Sequence, residues 1–350
     1  MRTRKSVLTF LLVSIFMAAT LSGCGGPGSV KEFSLIVLPD TQMYSEKYPQ
    51  HFIAQTRWIK ENVDKLNIKY VLHLGDITDD NNTAQWNNAK AAICVLDGVV
   101  PYALAPGNHD YGPGGKTGTR DTLFLNDADN ATPYFGVLTP YASQDSIGGF
   151  FVEDDGTVRT DNSWHSFVGL GEKFLVIALE FGPRDEVVQW AESVVASHPD
   201  HHVILITHAY MYSDETRYDW ASKGSSQRWN PHSRSYPVAL QAGGVNDGEE
   251  LWQKLVKKHH NFFMTINGHV LGDGAARLTS TGDNGNKVHQ LLANYQNGVS
   301  GSLEGGQGFL RIFTFKRDKK TVEVKTYSPV LDEYKTDNQQ EFDLELSPEL

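Results

Sequence analysis

Five short blocks along the chain carry side chains that bind metal ions. They are Asp40–Gln42, Gly75–Asp79, Gly107–Asp110, Thr207–His208 and Gly268–Leu271. Their carboxylates, amides and imidazoles offer oxygen and nitrogen ligands to divalent cations. Two such ions about 3.5–4 Å apart can hold one substrate oxygen and lower the pKa of a water molecule. The blocks therefore predict a dinuclear metal centre that supports hydrolysis.

The chain around the first three blocks alternates apolar strands with amphipathic helices. The pattern predicts strands over 34–38, 68–74 and 100–104 and helices over 48–66 and 84–96, the second with Asn82 or Thr83 as its N-cap. A β-α-β-α-β order predicts parallel strands joined by right-handed crossovers. Ligands gather beyond the carboxyl ends of such strands, and Asp40, Asp76 and Asn108 follow these ends.

The rest of the chain is predicted to continue as one mixed α/β domain. Further strands are expected over 166–168, 173–180, 203–207, 262–266, 288–293, 309–315 and 321–327, and helices over 187–196 and 249–258. Residues 111–163, rich in Gly, Asp, Asn and Tyr, are predicted as loops with short helices, and 282–286 as a hairpin turn. We expect the domain over 33–330 and an acidic tail or peripheral strand over 331–350.

The order of the blocks resembles the calcineurin-like metallophosphoesterases over about residues 33–330: Asp-x-(His or Gln), Gly-Asp-x-x-Asp, Gly-Asn-His-Asp, His, Gly-His. The resemblance implies an α/β fold, a four-layer α/β/β/α sandwich with a dinuclear metal site at the carboxyl ends of its strands. It also implies that Asp76 bridges both ions. Asp40 would then serve the first ion, and Asn108, His208 and His269 the second.

The first ion is where this sequence departs from the family pattern. The family usually has histidine where Gln42 and Leu271 stand. Gln42 keeps a carbonyl oxygen, whereas Leu271 offers no ligand. The first ion is therefore expected to be weakly bound, to be absent, or to be a harder ion such as Mn²⁺, Mg²⁺ or Ca²⁺. For the centre as a whole, the sequence does not distinguish Mn, Fe, Zn, Mg and Ca. Asp79, Asp273 and His289 are candidates for a substitute ligand.

His109 and Asp110 carry the remaining chemistry that the resemblance implies. His109 would lie near the leaving-group oxygen, with Asp110 orienting it and fixing its tautomer. An imidazole there can protonate the departing alkoxide. A water between the metal ions would attack phosphorus, so no protein nucleophile is required.

A long aromatic segment over 210–248 begins at the metal site, because His208 ends the preceding strand. Its aromatic content argues against disorder, so we predict a wall of the substrate pocket. The alternative is a surface elaboration packed on itself. Predicted substrate contacts are Tyr210, Arg217, Arg228 and His232. The triplet Asn294-Tyr295-Gln296 follows a strand and is expected to face the site, with Asn294 as a further contact.

The N-terminus predicts export and lipidation. Residues 1–23 have a basic start, an apolar stretch too short for a membrane span, and an ending before Cys24 that resembles a bacterial lipobox. Cys24 would be lipidated, and residues 24–32 would form a flexible tether; an ordinary secretory signal is the alternative. Removing residues 1–23 removes three positive charges, so the formal net charge falls from −11 to −14. This charge argues against binding to a nucleic-acid polymer.

Together these observations predict a metal-dependent phosphoesterase, lipid-anchored at the outer face of a bacterial cell membrane. It would cleave a phosphomonoester or phosphodiester. The alternative is a membrane-anchored lipoprotein that binds metal or a phosphate ligand with degenerate catalysis. The sequence leaves open the ester, the oligomeric state, and whether the location is a Gram-positive surface or a Gram-negative periplasm.

Overall fold

The computed structural model describes residues 31–117, 119–120, 122 and 144–350, so the predicted signal peptide and Cys24 lie outside the described residues. The α-helices are α1 (Gln42–Glu46), α2 (Pro49–Asn62), α3 (Thr83–Ile93), α4 (Asp185–Ala196), α5 (Trp220–Lys223) and α6 (Gly248–Lys254). Short 3-10 turns cover Cys94–Leu96, Asn108–Asp110, Pro113–Gly115, Gly224–Ser226, Pro237–Leu240 and Val256–Lys258.

The strands are β1 (Phe33–Leu38), β2 (Ile68–His73), β3 (Tyr102–Leu104), β4 (Ile147–Val152), β5 (Val158–Gly169), β6 (Glu172–Leu179), β7 (His201–Thr207), β8 (Phe262–Asn267), β9 (Ala275–Thr281), β10 (Lys287–Ala293), β11 (Leu310–Phe315), β12 (Thr321–Ser328), β13 (Glu333–Lys335) and β14 (Glu341–Glu345). They form two sheets. The first has the order β13-β12-β11-β1-β2-β3, with β14 also paired to β12, and the second has the order β4-β5-β6-β7-β8-β10-β9.

Parallel pairing runs through the middle of each sheet. In the first sheet β1, β2 and β3 are parallel. In the second, β6, β7, β8 and β10 are parallel. The β-α-β-α-β prediction for the first hundred residues is therefore confirmed, and both sheets present the carboxyl ends of adjacent parallel strands, where such folds place their ligands.

The two faces of β1 show how the layers form. Leu35 and Val37 pack into the apolar core between the two sheets. Ile36 and Leu38 point the other way and pack beneath α2 and α3. This alternation follows from the two-residue period of a strand, and it buries both faces of a parallel sheet.

The second sheet repeats the arrangement. Phe174 and Val176 of β6 enter the core between the sheets, while Leu175 and Ile177 pack against an outer cluster that includes residues of α4 and α6. The result is four layers in the order helix, sheet, sheet, helix. The predicted four-layer α/β/β/α sandwich is confirmed.

Local signals also explain the helices that flank the first two metal blocks. Pro49 occupies the first turn of α2, where its missing N–H costs nothing, and Phe52, Thr56 and Ile59 form the buried stripe. Asn82 caps α3 by accepting a hydrogen bond from the Gln85 N–H. Of the two N-caps considered for α3, the cap is Asn82.

The prediction of loops over 111–163 is wrong where β4 and the start of β5 lie. Two glycines weakened the strand signal of β4. A Cβ on Gly148 would come within 1.9 Å of the Trp164 ring, so the strand accommodates this indole only because it lacks a side chain there. Residues 123–143 lie outside the described residues.

One edge of the second sheet differs from the prediction, whereas the residues after 330 follow its peripheral-strand alternative. The edge strand β9 was missed because its exposed positions are polar, although the predicted turn over 282–286 does join it to β10, with the Gly282 N–H bonded to the Asn286 carbonyl. After residue 330 the chain forms β13 and β14, which both pair with β12. No helix of the described residues combines the length and apolar character needed to cross a membrane.

Candidate metal centre

The predicted metal-binding residues meet at one end of the sandwich. Asp40, Asp76 and Asn108 follow β1, β2 and β3 of the first sheet, and His208 and His269 follow β7 and β8 of the second. These five side chains come from distant parts of the chain, yet none is more than 6% exposed. The structure therefore brings all five into one buried centre between the sheets.

One side of this centre combines a carboxylate with two imidazoles. Single ligand atoms of Asp76, His208 and His269 all lie within 4.8 Å of one another. His208 Nε2 is 3.1 Å from Asp76 Oδ2, and His208 Nδ1 is 2.8 Å from the Leu74 carbonyl. Nδ1 donates its proton to that carbonyl, so Nε2 is the atom directed at the carboxylate, where a bound cation would take the place of its proton. The buried Asn108 Oδ1 has no hydrogen-bond partner among the described residues.

The carboxylate, the amide oxygen and the two imidazoles are directed toward one another, as the ligands of one cation would be. Two imidazoles, one amide oxygen and one carboxylate form a ligand set that suits a transition-metal ion. The residues assigned by resemblance to the second ion therefore fit a divalent metal in their chemistry and in their unsatisfied atoms.

The backbone is strained where it presents these ligands. Asp76 has φ 48° and His269 has φ 74°, a left-handed conformation that costs a non-glycine residue about 1–3 kcal/mol. A Cβ on Gly107 would lie 2.1 Å from Asp76 Oδ1, and one on Gly268 would lie 2.0 Å from Asp40 Oδ1. The glycines of these two blocks are thus required for the backbone to approach the carboxylates.

The other side of the centre, which corresponds to the first ion, is lined by amides. Asp40 Oδ2 accepts hydrogen bonds from Asn294 Nδ2 at 3.1 Å and from Gln296 Nε2 at 3.0 Å. Gln42 Nε2 lies 3.2 Å from Asp76 Oδ2 and also contacts Gln296 Oε1. Asn294 was predicted to contact substrate; its buried amide instead supports Asp40. The companion expectation, that this triplet faces the site, is met by Gln296.

The electrostatics of the centre are those of a cation site. Burial raises the pKa of Asp40 to about 7; the charge of Asp76 adds to this rise, and His208 opposes it. Burial acts in the same direction on Asp76, but the imidazoles of His208 and His109 hold the pKa of Asp76 below its usual range. Among the described residues, the positive partners of these two buried carboxylates are imidazoles, so divalent cations would stabilise both carboxylates in their charged form.

A cavity of about 120 Å³ opens over the centre. Its lining residues are Asp76, Asn108, His109, Trp229, Tyr236, His269, Leu271 and Gln296. Trp229 and Tyr236 come from the segment predicted to wall the pocket, and the Trp229 carbonyl lies 2.8 Å from His269 Nε2. Neither residue was among the predicted contacts; the aromatic richness of the segment was the only sequence signal for them.

Among the predicted contacts in that segment, Arg228 is exposed and stacks over the Trp229 ring at 4.5 Å. Because Trp229 lines the cavity, Arg228 contacts the cavity wall from outside. Its role as a substrate contact stays a prediction.

Three other predicted substrate contacts do not line this cavity. Tyr210 is completely buried. Arg217 forms an ion pair with Glu249 at 2.6 Å, and His232 Nε2 lies 2.6 Å from a Glu250 oxygen. Both glutamates belong to α6, so these two contacts hold the segment against that helix, a role that residue type alone does not distinguish from substrate binding.

His109 lies at the cavity, and its imidazole contacts Asp79. His109 Nδ1 is 2.8 Å from the Asp79 carbonyl oxygen and 3.4 Å from its carboxylate. Burial lowers the pKa of His109, yet the charge of Asp76 and the contacts with Asp79 raise it above its usual range overall. Asp79, proposed as a substitute metal ligand, therefore serves His109.

Asp110 holds the metal-binding loops together. Its Oδ2 accepts hydrogen bonds from the N–H groups of Ile77 at 3.0 Å and Gly107 at 2.8 Å. Its Oδ1 accepts from the N–H of Thr78 at 2.8 Å and from the Thr78 hydroxyl at 2.9 Å. These four bonds use the acceptors of Asp110, so in this geometry it joins the loops, and its role in orienting His109 stays a prediction.

The remaining candidates for a substitute ligand lie elsewhere. Asp273 is exposed and accepts a hydrogen bond from the Ala275 N–H. His289 bonds the Thr279 hydroxyl and the Glu345 carbonyl, both at 3.0 Å. Both side chains are bonded within strands and turns, and their assignment as a substitute ligand stays a prediction.

A two-sheet sandwich whose strand ends bring carboxylates, an amide and imidazoles to one buried centre is typical of metal-dependent hydrolases. The chain belongs to the calcineurin-like phosphoesterase family, whose sequence model matches residues 33–270.

The chain is also similar to one known sequence and to several solved structures. The uncharacterized protein YvnB of Bacillus subtilis (strain 168) is 32% identical over 334 residues, which cover 91% of this chain. The chain spans only 22% of the length of YvnB. Among solved structures, GAP50 of Plasmodium, the anchor in the inner membrane complex, is 13% identical with a TM-score of 0.46, covering 90% of this chain and 89% of GAP50. The NAD nucleotidase NadN of Haemophilus influenzae is 14% identical with a TM-score of 0.44, covering 90% of this chain and 50% of NadN.

Proposed function

We propose that this centre hydrolyses a phosphomonoester or phosphodiester, with His109 donating a proton to the leaving-group oxygen. The observation that carries the proposal is the fixed position of His109 at the cavity. Its backbone N–H donates to Asp76 Oδ1 at 3.0 Å, and its ring is held by Asp79. The imidazole is partly exposed, with 37% of its side-chain surface accessible, so its second nitrogen can meet a substrate.

The roles of the other residues follow from their chemistry. Asp76, Asn108, His208 and His269 would hold one divalent ion. Bound ions activate water and neutralise the charge on phosphoryl oxygens. Because His109 donates Nδ1–H to the Asp79 carbonyl, its Nε2 is the atom that would carry the transferable proton.

Fewer side chains are available for the other ion. Asp40 and Gln42, together with Asp76, would hold the other ion. Trp229 and Tyr236 wall the cavity and limit the access of bulk water to the reacting phosphate.

We also propose that the protein works outside the cytoplasm, attached to a bacterial membrane through lipid on Cys24. The support is the sequence of residues 1–24 and the acidic charge of the remaining chain. Because an acidic protein is repelled by anionic lipid, the lipid on Cys24 would have to supply the membrane attachment. Metabolic labelling with an alkyne fatty acid checks this: wild type should be labelled and membrane-bound, and Cys24→Ser unlabelled. Labelling that persists in Cys24→Ser would refute the anchor.

The hydrolytic proposal is tested with aryl and alkyl phosphomonoesters and phosphodiesters, each with Mn²⁺, Zn²⁺, Fe²⁺, Mg²⁺ or Ca²⁺. Asp76→Asn should abolish turnover. His109→Ala should lose about 10²–10⁴-fold with alkyl esters and much less with 4-nitrophenyl esters, whose leaving group needs no proton. His260→Ala, which changes an exposed histidine, is the matched control.

Two outcomes would count against the proposal. Equal losses for both leaving groups in His109→Ala would remove its role as an acid. An absence of turnover with every ion and ester would favour the alternative, a lipoprotein that binds metal or a phosphate ligand.

A further inference from the structure

We propose that Gln296 completes the first metal position with its amide oxygen. It would replace the histidine that the family usually has where this chain has Leu271. The inference rests on the proposed function and specifies the ion that its first position takes. The first ion would then be held by oxygen atoms alone, from Asp40, Gln42, Asp76 and Gln296. Gln296 is 25 residues beyond the position at which the family pattern places this ligand.

The first observation is an unsatisfied atom. Gln42 is 1% exposed, and its Oε1 is buried with no hydrogen-bond partner among the described residues. Buried amide oxygens are nearly always paired, so in this orientation the Gln42 amide is not satisfied by hydrogen bonds within the protein. Its own nitrogen sits 3.2 Å from Asp76 Oδ2 and against Gln296 Oε1.

The second observation is the convergence of the two glutamines on the two carboxylates. Gln296 Nε2 is 3.0 Å from Asp40 Oδ2, and the Gln42 amide contacts both Gln296 and Asp76. An amide can present N–H groups to a carboxylate or, after a half turn, its oxygen to a cation. Both glutamines are therefore placed where that half turn would give a cation four oxygen ligands.

The loop that carries Gln296 is built to deliver it. The Gln296 N–H donates to Asn294 Oδ1 at 2.9 Å, and Asn294 in turn donates to Asp40. Leu271 packs on the same loop: a Cβ on Gly298 would come within 2.9 Å of Leu271 Cδ1. The leucine that removes one ligand thus contacts the loop that supplies another.

The two positions would then differ in the ions they prefer. The position with two imidazoles, from His208 and His269, suits Zn²⁺, Fe²⁺ or Mn²⁺. An all-oxygen set with two carboxylates and two amides suits Mn²⁺, Mg²⁺ or Ca²⁺. We expect Mn²⁺ to fill both positions and Zn²⁺ to fill tightly only the one with imidazoles.

The experiment counts ions on the full chain, independently of turnover. Metal-free protein is titrated with Mn²⁺ by calorimetry, and bound Mn²⁺ is followed by electron paramagnetic resonance, in which two adjacent ions give an exchange-coupled spectrum. Wild type should bind two Mn²⁺ per chain with that spectrum. Gln296→Leu, which removes the amide at similar size, should weaken the first position about tenfold or more and leave the signal of an isolated ion. Gln189→Leu, at an exposed glutamine, is the control.

A second variant keeps the test sharp if Gln296→Leu proves unstable. Leu271→His should add an imidazole to the first position and raise its Zn²⁺ affinity, so that two Zn²⁺ bind per chain. One Mn²⁺ per saturated wild-type chain, or two coupled Mn²⁺ in Gln296→Leu, would overturn the inference. Two bound ions without ester hydrolysis would instead refute the proposed function and leave this inference standing.

Discussion

Replacing Asp110 by asparagine should disrupt the metal centre rather than the proton transfer. Asp110 binds three backbone N–H groups and one hydroxyl in the loops that carry Asp76 and Asn108. If these bonds set the loops, the variant should lose stability and metal affinity together. If Asp110 instead oriented His109, the variant should bind metal normally and change only the rate and its pH dependence.

The cost follows from the four bonds. An asparagine keeps one oxygen, which can accept from Ile77 and Gly107 as Oδ2 does now. Its NH₂ group would face Thr78, where the hydroxyl can turn to accept but the backbone N–H is left unpaired. Charge assistance is also lost at the other bonds. Losing the equivalent of two charge-assisted hydrogen bonds, at about 1.5–3 kcal/mol each, gives about 3–6 kcal/mol.

Urea unfolding of metal-free protein and calorimetric metal titration measure the two effects. Asp273→Asn is the matched control, because this exposed carboxylate accepts only one local N–H and should cost no more than about 0.5 kcal/mol. An Asp110→Asn protein as stable as wild type, with unchanged metal affinity, would refute the reasoning and restore the role of orienting His109.

Two further predictions concern the surroundings of the centre. Glu180→Gln should cost about 3–5 kcal/mol at neutral pH, because Arg120, 3.1 Å from Glu180, would stay buried without its carboxylate. Burial raises the pKa of Glu180, but arginines led by Arg120 hold it at about 2, below the ordinary 4.5. The difference between the variant and wild type in the free energy of urea unfolding should therefore be constant above pH 4.5 and shrink toward pH 2. A difference that does not change with pH would contradict this. Gly107→Ala would place a methyl group 2.1 Å from Asp76 Oδ1 and should abolish the binding of both ions, as measured by elemental analysis. Gly98→Ala is the control, because a Cβ there meets no atom within 4 Å, and it should retain both ions. Normal metal content in Gly107→Ala would contradict the close approach.

The sequence was sufficient for the parts of the site that local rules determine. Asp40, Asp76 and Asn108 each end a buried strand of a β-α-β-α-β unit, and such strands must be parallel with their carboxyl ends at one edge. Their convergence with His208 and His269 required only that a second sheet end at the same place. That step came from the family resemblance, because periodicity says nothing about how two sheets face each other.

Residue roles that depend on which of several acceptors a side chain meets could not be predicted. Asp110 and Asp79 are both carboxylates near His109 in sequence or space, and only the loop geometry decides that Asp79 contacts the imidazole. Arg217 and His232 are similar cases. Each is a plausible phosphate contact by type, but in the structure Arg217 is paired with Glu249 and His232 with Glu250.

The missing ligand at Leu271 can be understood by the same rule that located the others. β10 is parallel to β8, although it forms an antiparallel hairpin with the edge strand β9. Its carboxyl end therefore lies at the same edge as that of β8, which leads to His269. Asn294 and Gln296 follow β10 as His269 follows β8. The sheet therefore offers one further strand end that can carry a ligand, which is not among the five sequence blocks. A histidine lost after β8 can thus be replaced from the next parallel strand without moving the centre.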